Sequence, residues 1–234
     1  MTQVFVAELA APGDVCQVDG HEHHYLTRSI RSRPGDFLTL ADGQGAMARA
    51  VFLSADADQA LLRVEERLPL DPPELIELLL CPPKGDALED TLDQAAQLGI
   101  ASVSLLRSER TLANFDGAAL KAERLQRVLR EACRQCNRGR VPSLRVGVGF
   151  AEALGWPGAG WLASERGGRP LKALATAPGP CRLLVGPEGG LSDAEHEAAL
   201  RAGWTPVTLG PKLLRVPTAV AALISGIKTL WSPL

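Results

Sequence analysis

Residues 183–197 read LLVGPEGGLSDAEHE. The apolar run Leu183-Leu184-Val185 stops at Gly186-Pro187-Glu188-Gly189-Gly190, and a polar segment follows. Ser192 with Glu195 three positions on has the spacing of a capping box, which starts a helix at Asp193. Gly203 stands where a C′ glycine closes such a helix. The glycine loop therefore joins the C-terminal end of a strand to the start of a helix. In open α/β sheets that edge is where ligands bind. Glycines there let a ligand touch main chain with no Cβ in the way. Taken alone, the loop also fits a strained turn that merely connects two elements.

Phosphate is a poor candidate for the ligand. No Lys-Ser or Lys-Thr follows the glycines, as a P-loop requires, and GPEGG does not supply the GxGxxG of a dinucleotide site. Glu188 would repel a pyrophosphate and suits a neutral or cationic group. A second stretch has the same design. Val207-Thr208-Leu209-Gly210-Pro211-Lys212-Leu213-Leu214-Arg215 is a strand that ends in Gly-Pro and leads, through Val216-Pro217, into a helix from Thr218. Two such loops facing one crevice make a pocket fit for an adenosine-like group held without phosphate contacts.

Outward from these loops, the chain divides. Residues 1–70 read as β-rich: Val4–Val6, Phe37–Leu40, Ala48–Leu53 and Leu61–Val64 are short strands, and Asp42-Gly43-Gln44-Gly45 is a hairpin loop. Little there reads as helical, so a small barrel is expected. Leu68-Pro69-Leu70-Asp71-Pro72-Pro73 continues neither strand nor helix and marks a boundary. From 74 to 234 strands and helices alternate. Strands are expected at 75–81, 102–106, 147–150, 182–185 and 206–209, and helices at 88–99, 117–136, 193–202 and 218–230. That alternation is the pattern of an α/β domain on a parallel sheet. Residues 154–180 are rich in Gly, Pro and Ala and give weak signals.

The totals fit this reading. With 46% hydrophobic and 22% charged residues the composition is that of a soluble globular chain. A net charge of −2 gives no global attraction to nucleic acid, so any such argument is local. No apolar run reaches the roughly 18 residues of a membrane span, and the N-terminus lacks the basic-then-apolar pattern of a signal peptide. The five cysteines, Cys16, Cys81, Cys133, Cys136 and Cys181, are odd in number and scattered, which suits a reducing cytoplasm.

Gly186-Pro187-Glu188-Gly189-Gly190-Leu191-Ser192 together with Leu209-Gly210-Pro211-Lys212-Leu213-Leu214-Arg215 resembles the paired C-terminal motifs of the ribosomal RNA small subunit methyltransferase E family. His24-Tyr25-Leu26 with Ile30-Arg31 and Gly35-Asp36 resembles the family's N-terminal pattern. Lys84-Gly85, Gln94–Gly99, Glu131-Ala132, Gln135, Arg138 and Val141-Pro142 match further blocks. The resemblance implies methylation of N3 of a uridine in 16S ribosomal RNA with S-adenosylmethionine. It also implies an α/β fold: a C-terminal SPOUT-type parallel sheet whose chain forms a trefoil knot, a small N-terminal PUA-like β-barrel that binds RNA, and a homodimer. Three departures stand out. Gln94 and Gln97 replace a usual lysine and glutamate, and Val216-Pro217-Thr218-Ala219 replaces Thr-Glu-Thr-Ala.

This reading assigns residues. Cofactor contacts fall to Val185, Gly186, Gly190, Leu209, Gly210 and Leu214, with Thr218 nearby. Arg215 is the candidate to stabilise charge that spreads onto the uracil oxygens as the N3 proton leaves. Glu188 meets the sulfonium, accepts the proton, or caps backbone N–H groups. Arg124, Arg127, Arg130, Arg134 and Arg138 recur at helical spacing, on about a third of the circumference. The stripe is either a solvated face or a phosphate-binding surface of the ribosomal RNA substrate. Arg28, Arg31 and Arg33 offer a second basic patch beside Tyr25.

His21, His23 and His24 lack a second ligand cluster and do not read as a metal site. Cys133 and Cys136 form a CxxC late in a helix, where a redox pair does not belong, and read as free thiols. The helix from Thr218 is apolar nearly all round and so is buried, within the domain or against a second subunit. The rival readings are a related enzyme with another RNA target and a non-catalytic RNA-binding or ribosome-assembly module.

Overall fold

The computed structural model describes residues 2–85, 87–112, 115, 117, 121–174 and 178–231. Its contacts separate two units: Met1–Pro73 with Cys133–Val141, and Glu74–Ala132 with Pro142–Leu234.

The first unit is a five-stranded mixed sheet. Its strands are β1 (Gln3–Phe5), β2 (Val15–Asp19), β3 (Phe37–Ala41), β4 (Met47–Ala55) and β5 (Gln59–Leu68), in the order β1-β3-β4-β5-β2. β1 pairs with β3 in parallel and the remaining pairs are antiparallel. On β5, Ala60, Leu62 and Val64 alternate into the core, the two-residue period of a half-buried strand. The β3–β4 turn is held by Asp42, whose Oδ1 accepts from the Gln44 and Ala46 N–H groups at 2.7 and 3.0 Å, an Asx-type turn.

Two helical pieces interrupt this unit, against the expectation of strands alone: α1 (Gly20–His24) and a π-helical turn (Tyr25–Ser29). A five-residue helix has no stability of its own. Here it is held from outside its own sequence, because Glu22 receives two hydrogen bonds from Arg134, at 2.7 and 2.9 Å.

The second unit is built on strands β6 (Ile76–Leu80), β7 (Ser102–Arg107), β8 (Ser143–Gly149), β9 (Ala159–Ala163), β10 (Arg169–Pro170), β11 (Cys181–Val185) and β12 (Thr205–Thr208). Among the described residues they form a seven-stranded sheet of order β10-β12-β9-β11-β6-β7-β8, parallel at every pairing. β11, in its interior, is buried along its whole length, as a parallel strand covered on both faces must be. Its helices are α2 (Ala87–Gln97), α3 (Ala122–Gln135), whose last residues from Cys133 on belong to the first unit, α4 (Phe150–Leu154), α5 (Asp193–Arg201) and α6 (Val216–Trp231). The expected start of α3 at 117 falls partly on residues 118–120, outside the described residues. The strand expected at 147–150 lies earlier, at 143–149, and Phe150 opens α4.

β9 has no clear signal in the sequence, and the reason is visible in its packing. A Cβ on Gly160 would lie 2.6 Å from the Trp204 indole, so the strand gives up a side chain to let the tryptophan lie against it. Trp204 is buried there among Leu79, Leu106, Phe150, Leu162, Leu184 and Leu191.

Candidate functional site

β9 lies between β11 and β12 and runs parallel to both, with Leu184 paired to Leu162 and Val207 to Ala163. The three C-terminal ends therefore sit side by side on one edge. The loops that follow them wall a cavity of about 380 Å³. Val185, Gly186, Gly190 and Glu188 line it from the first loop, and Leu209, Gly210, Leu214 and Arg215 from the second. A third loop, Ser164-Glu165-Arg166 after β9, also lines it, as does His196 on α5. Sequence reasoning missed this third wall because it missed β9. The two glycine loops are not adjacent: β9 stands between them.

The GPEGG loop is held from several sides. Gly190 has φ +67°, a conformation that costs a residue with a Cβ about 1–2 kcal/mol, and its N–H donates to the Pro187 carbonyl at 2.8 Å. A Cβ at this position would run into the Glu165 carboxylate. Arg110 Nη1 donates to the Gly189 carbonyl at 3.0 Å. Glu188 Oε1 accepts from the Lys84 backbone N–H at 2.9 Å, the capping role foreseen as one of three. The capping box is complete: Ser192 Oγ accepts from the Glu195 N–H at 3.2 Å, and Glu195 Oε2 from the Ser192 N–H at 3.0 Å. Arg166 ties the third loop to this one, donating to the Leu191 carbonyl at 2.9 Å and to Asp193 Oδ1 at 2.5 Å. That hydrogen bond, and then the guanidinium charge, hold the Asp193 carboxyl below the usual carboxylate range.

The second loop is more open. Thr208 Oγ1 accepts from the Gly210 N–H at 3.2 Å, and Gly210 has φ +126°. Leu209 and Leu213 are exposed, 41% and 77%, at the cavity. The Arg215 side chain is exposed and has no partner among the described residues. α6 begins at once, with the Ala219 N–H donating to the Arg215 carbonyl at 2.9 Å. Pro217 falls in the first turn, where its missing N–H costs no helical bond. Thr218, expected near the cofactor, does not line the cavity; its neighbours Val216 and Ala219 do. Gln94 and Gln97 are exposed on α2 and lie outside the cavity lining.

The expected arginine stripe holds as a surface only at its N-terminal end, where Arg124 and Arg127 are exposed. Arg134 and Arg138 are buried, 6% and 9% exposed, in the first unit. The Arg134 guanidinium pairs with Glu22, donates to the Gln3 carbonyl at 2.9 Å and lies over the Tyr25 ring at 4.1 Å. The Arg138 carbonyl accepts from Gln3 Nε2 at 2.7 Å. The Arg134 charge is satisfied inside the protein, and neither side chain faces solvent. Arg124 is exposed but bridged to Glu89 at 2.5 Å. Arg28 and Arg31 are exposed on the first unit.

The cavity chemistry suits a nucleoside. Leu191, Leu209, Leu213 and Leu214 give it apolar walls, glycines give it open main chain, and its rim carries charges of both signs, Glu165 and Glu188 beside Arg166, Lys212 and Arg215. Comparison with known proteins agrees in kind. Residues 71–228 match the family described as an RNA methyltransferase domain. The chain is 32% identical to ribosomal RNA small subunit methyltransferase E of Mycobacterium bovis, over 97% of this chain and 91% of that protein. It is also 32% identical to the protein of the same name from Synechocystis, over 88% and 70%. A crystal structure of ribosomal RNA small subunit methyltransferase E from Neisseria gonorrhoeae bound to S-adenosyl methionine superposes with TM-score 0.92 at 28% identity, covering 99% and 98% of the two chains.

Proposed function

The chain belongs to the ribosomal RNA small subunit methyltransferase E family of RNA methyltransferases, and on that premise we propose that it methylates N3 of a uridine in 16S ribosomal RNA, using S-adenosylmethionine. The observation that carries the proposal is the glycine-walled cavity on the shared edge of β9, β11 and β12, with an uncommitted arginine beside it.

When bound, S-adenosylmethionine supplies a methyl group already activated by its positive sulfur. The protein's part is then mainly positioning. Gly186, Gly190 and Gly210 bring main chain to the nucleoside, and Leu209 and Leu214 enclose it. Arg215, always charged and multiply donating, stabilises the negative charge that spreads over the uracil oxygens as N3 loses its proton. Glu188 fixes the β6–α2 connection through its bond to the Lys84 N–H. Its second carboxylate oxygen has no partner among the described residues and is the group we assign to the N3 proton.

RNA is held, in this reading, by Arg28 and Arg31 on the PUA-like first unit and by Arg124. The protein acts in the cytoplasm as a homodimer, with the chain beyond β11 threaded as the trefoil knot of its class. In support of a dimer, α6 leaves Ala221, Ala222, Ser225 and Gly226 half-covered beside its buried stripe.

Calorimetry and mass mapping of ribosomal RNA test the proposal together. Wild-type protein is expected to bind S-adenosylmethionine and to restore a single methyluridine in 16S ribosomal RNA from cells that lack the gene. Arg215→Ala is expected to lose turnover by at least about a hundredfold, with cofactor affinity within about twofold. Folded protein that binds no cofactor rejects the enzyme reading; unchanged turnover in Arg215→Ala rejects the assigned role.

A further inference from the structure

The third wall of the cavity has no part in the methyl transfer itself. It is short: Ser164, Glu165 and Arg166 follow directly on β9. It is also pinned at both ends. The Ser164 N–H donates to the Val207 carbonyl at 2.9 Å, which fixes the loop to β12. Arg166 donates to Leu191 and Asp193, which fixes it to the GPEGG loop and α5. Between these pins lies Glu165. Its side chain has no partner among the described residues, and its carboxylate rests against Gly190, where only a glycine leaves it room. A carboxylate with no partner among the described residues, on a loop pinned at both ends and facing a cavity, is placed to accept hydrogen bonds from a ligand. Its natural complement is a ligand with hydrogen-bond donors to offer.

Three parts of S-adenosylmethionine carry donors: the ribose hydroxyls, the amino-acid ammonium and the adenine N6 amino group. The neighbouring residue separates them. The Ser164 hydroxyl oxygen is buried with no hydrogen-bond partner among the described residues, and Ser164 lines the cavity. A hydroxyl both donates and accepts. The ammonium and amino nitrogens do not themselves accept, whereas each hydroxyl of a vicinal diol can donate to the carboxylate and accept from the serine. Carboxylate recognition of a ribose hydroxyl is also the solution that dinucleotide-binding folds use at the end of a parallel strand.

We propose that Glu165, positioned by Arg166 and assisted by Ser164, binds the ribose diol of the nucleoside cofactor and sets the requirement for a ribonucleoside. The inference rests on the assignment of this cavity to S-adenosylmethionine, and binding measurements separate the two claims. The probes are S-adenosylmethionine, 5′-methylthioadenosine, which keeps the ribose and lacks the amino acid, and its 2′-deoxy analogue. The variants are Glu165→Ala and Glu165→Gln, at an exposed position.

In wild-type protein the deoxy analogue is expected to bind about tenfold or more weaker than 5′-methylthioadenosine, the effect of losing a hydrogen bond to a charged group. Glu165→Ala is expected to weaken both ribonucleosides by a similar factor while leaving the deoxy analogue unchanged, with Glu165→Gln intermediate. Equal affinities in wild type and Glu165→Ala overturn the inference. So does a loss confined to S-adenosylmethionine, which would place the carboxylate on the ammonium. Wild-type protein that binds none of the three nucleosides instead overturns the cofactor assignment itself.

Discussion

Gly190 concentrates the demands of the site in one residue. Its φ of +67° excludes a cheap alanine, and the space a Cβ would need is taken by Glu165. Gly190→Ala is expected to cost about 1–2 kcal/mol of stability from backbone strain, and to weaken S-adenosylmethionine binding further because the Glu165 carboxylate must move. Denaturant titration and calorimetry on the same variant read the two effects separately. A variant as stable and as tightly binding as wild type would show that the loop tolerates a β-carbon. Gly186 and Gly190 were legible in the sequence because three glycines and a proline between a strand and a helix have no packing purpose, and Gly210 because a second strand ends in Gly-Pro. Glu165 was not, because one glutamate in a Gly-, Pro- and Ala-rich stretch reads as surface.

Helix α3 separates what periodicity can and cannot say. Its arginines at spacings of three and four predict one face, and the helix is real over Ala122–Gln135. Which of those arginines meets water depends on what lies opposite, and opposite Arg134 lie Glu22 and Tyr25, more than a hundred residues earlier. The side chains of this pair are only 4% and 12% exposed. Removing one partner strands a buried charge, at a cost of about 3–5 kcal/mol. Arg134→Met is therefore expected to lower stability by that amount. Arg124→Ala, which loses only an exposed bridge to Glu89, is expected to change it by less than about 1 kcal/mol. Urea midpoints for the two variants check the contrast. Comparable small losses would mean that Arg134 is not a structural residue.

Across the whole molecule, the cysteines report burial in both units. Burial pushes the thiols of Cys81, Cys133 and Cys181 up to about 12, from an ordinary value of 9.0. The folded state thus keeps these protons at a pH where the unfolded chain releases them. Stability from this source is intact below pH 9.0 and falls as pH rises from there toward 12. Urea midpoints measured from pH 8 to 11 are expected to decline over the upper part of that range, and less steeply in Cys81→Ala if its packing is otherwise kept. A flat profile would contradict the burial of these thiols.

The sequence by itself determined the local grammar: the strand–loop–helix units at 181–201 and 205–231, the capping box at Ser192, the proline segment that ends at Pro73, and the α/β alternation beyond it. These are written in neighbouring residues, through propensity, capping and hydrophobic period, and neighbours suffice to read them. Tertiary structure alone decided that β9 slips between β11 and β12, that the loop after it completes the cavity, that Cys133–Val141 belongs with the first unit, and that Arg134 and Arg138 turn inward. Each depends on partners far away in the chain. Gly160 yields to Trp204, and Glu22 waits for Arg134. Long-range pairing leaves no periodic trace in a single sequence, because the energy that selects it comes from surfaces that meet only when the chain has folded.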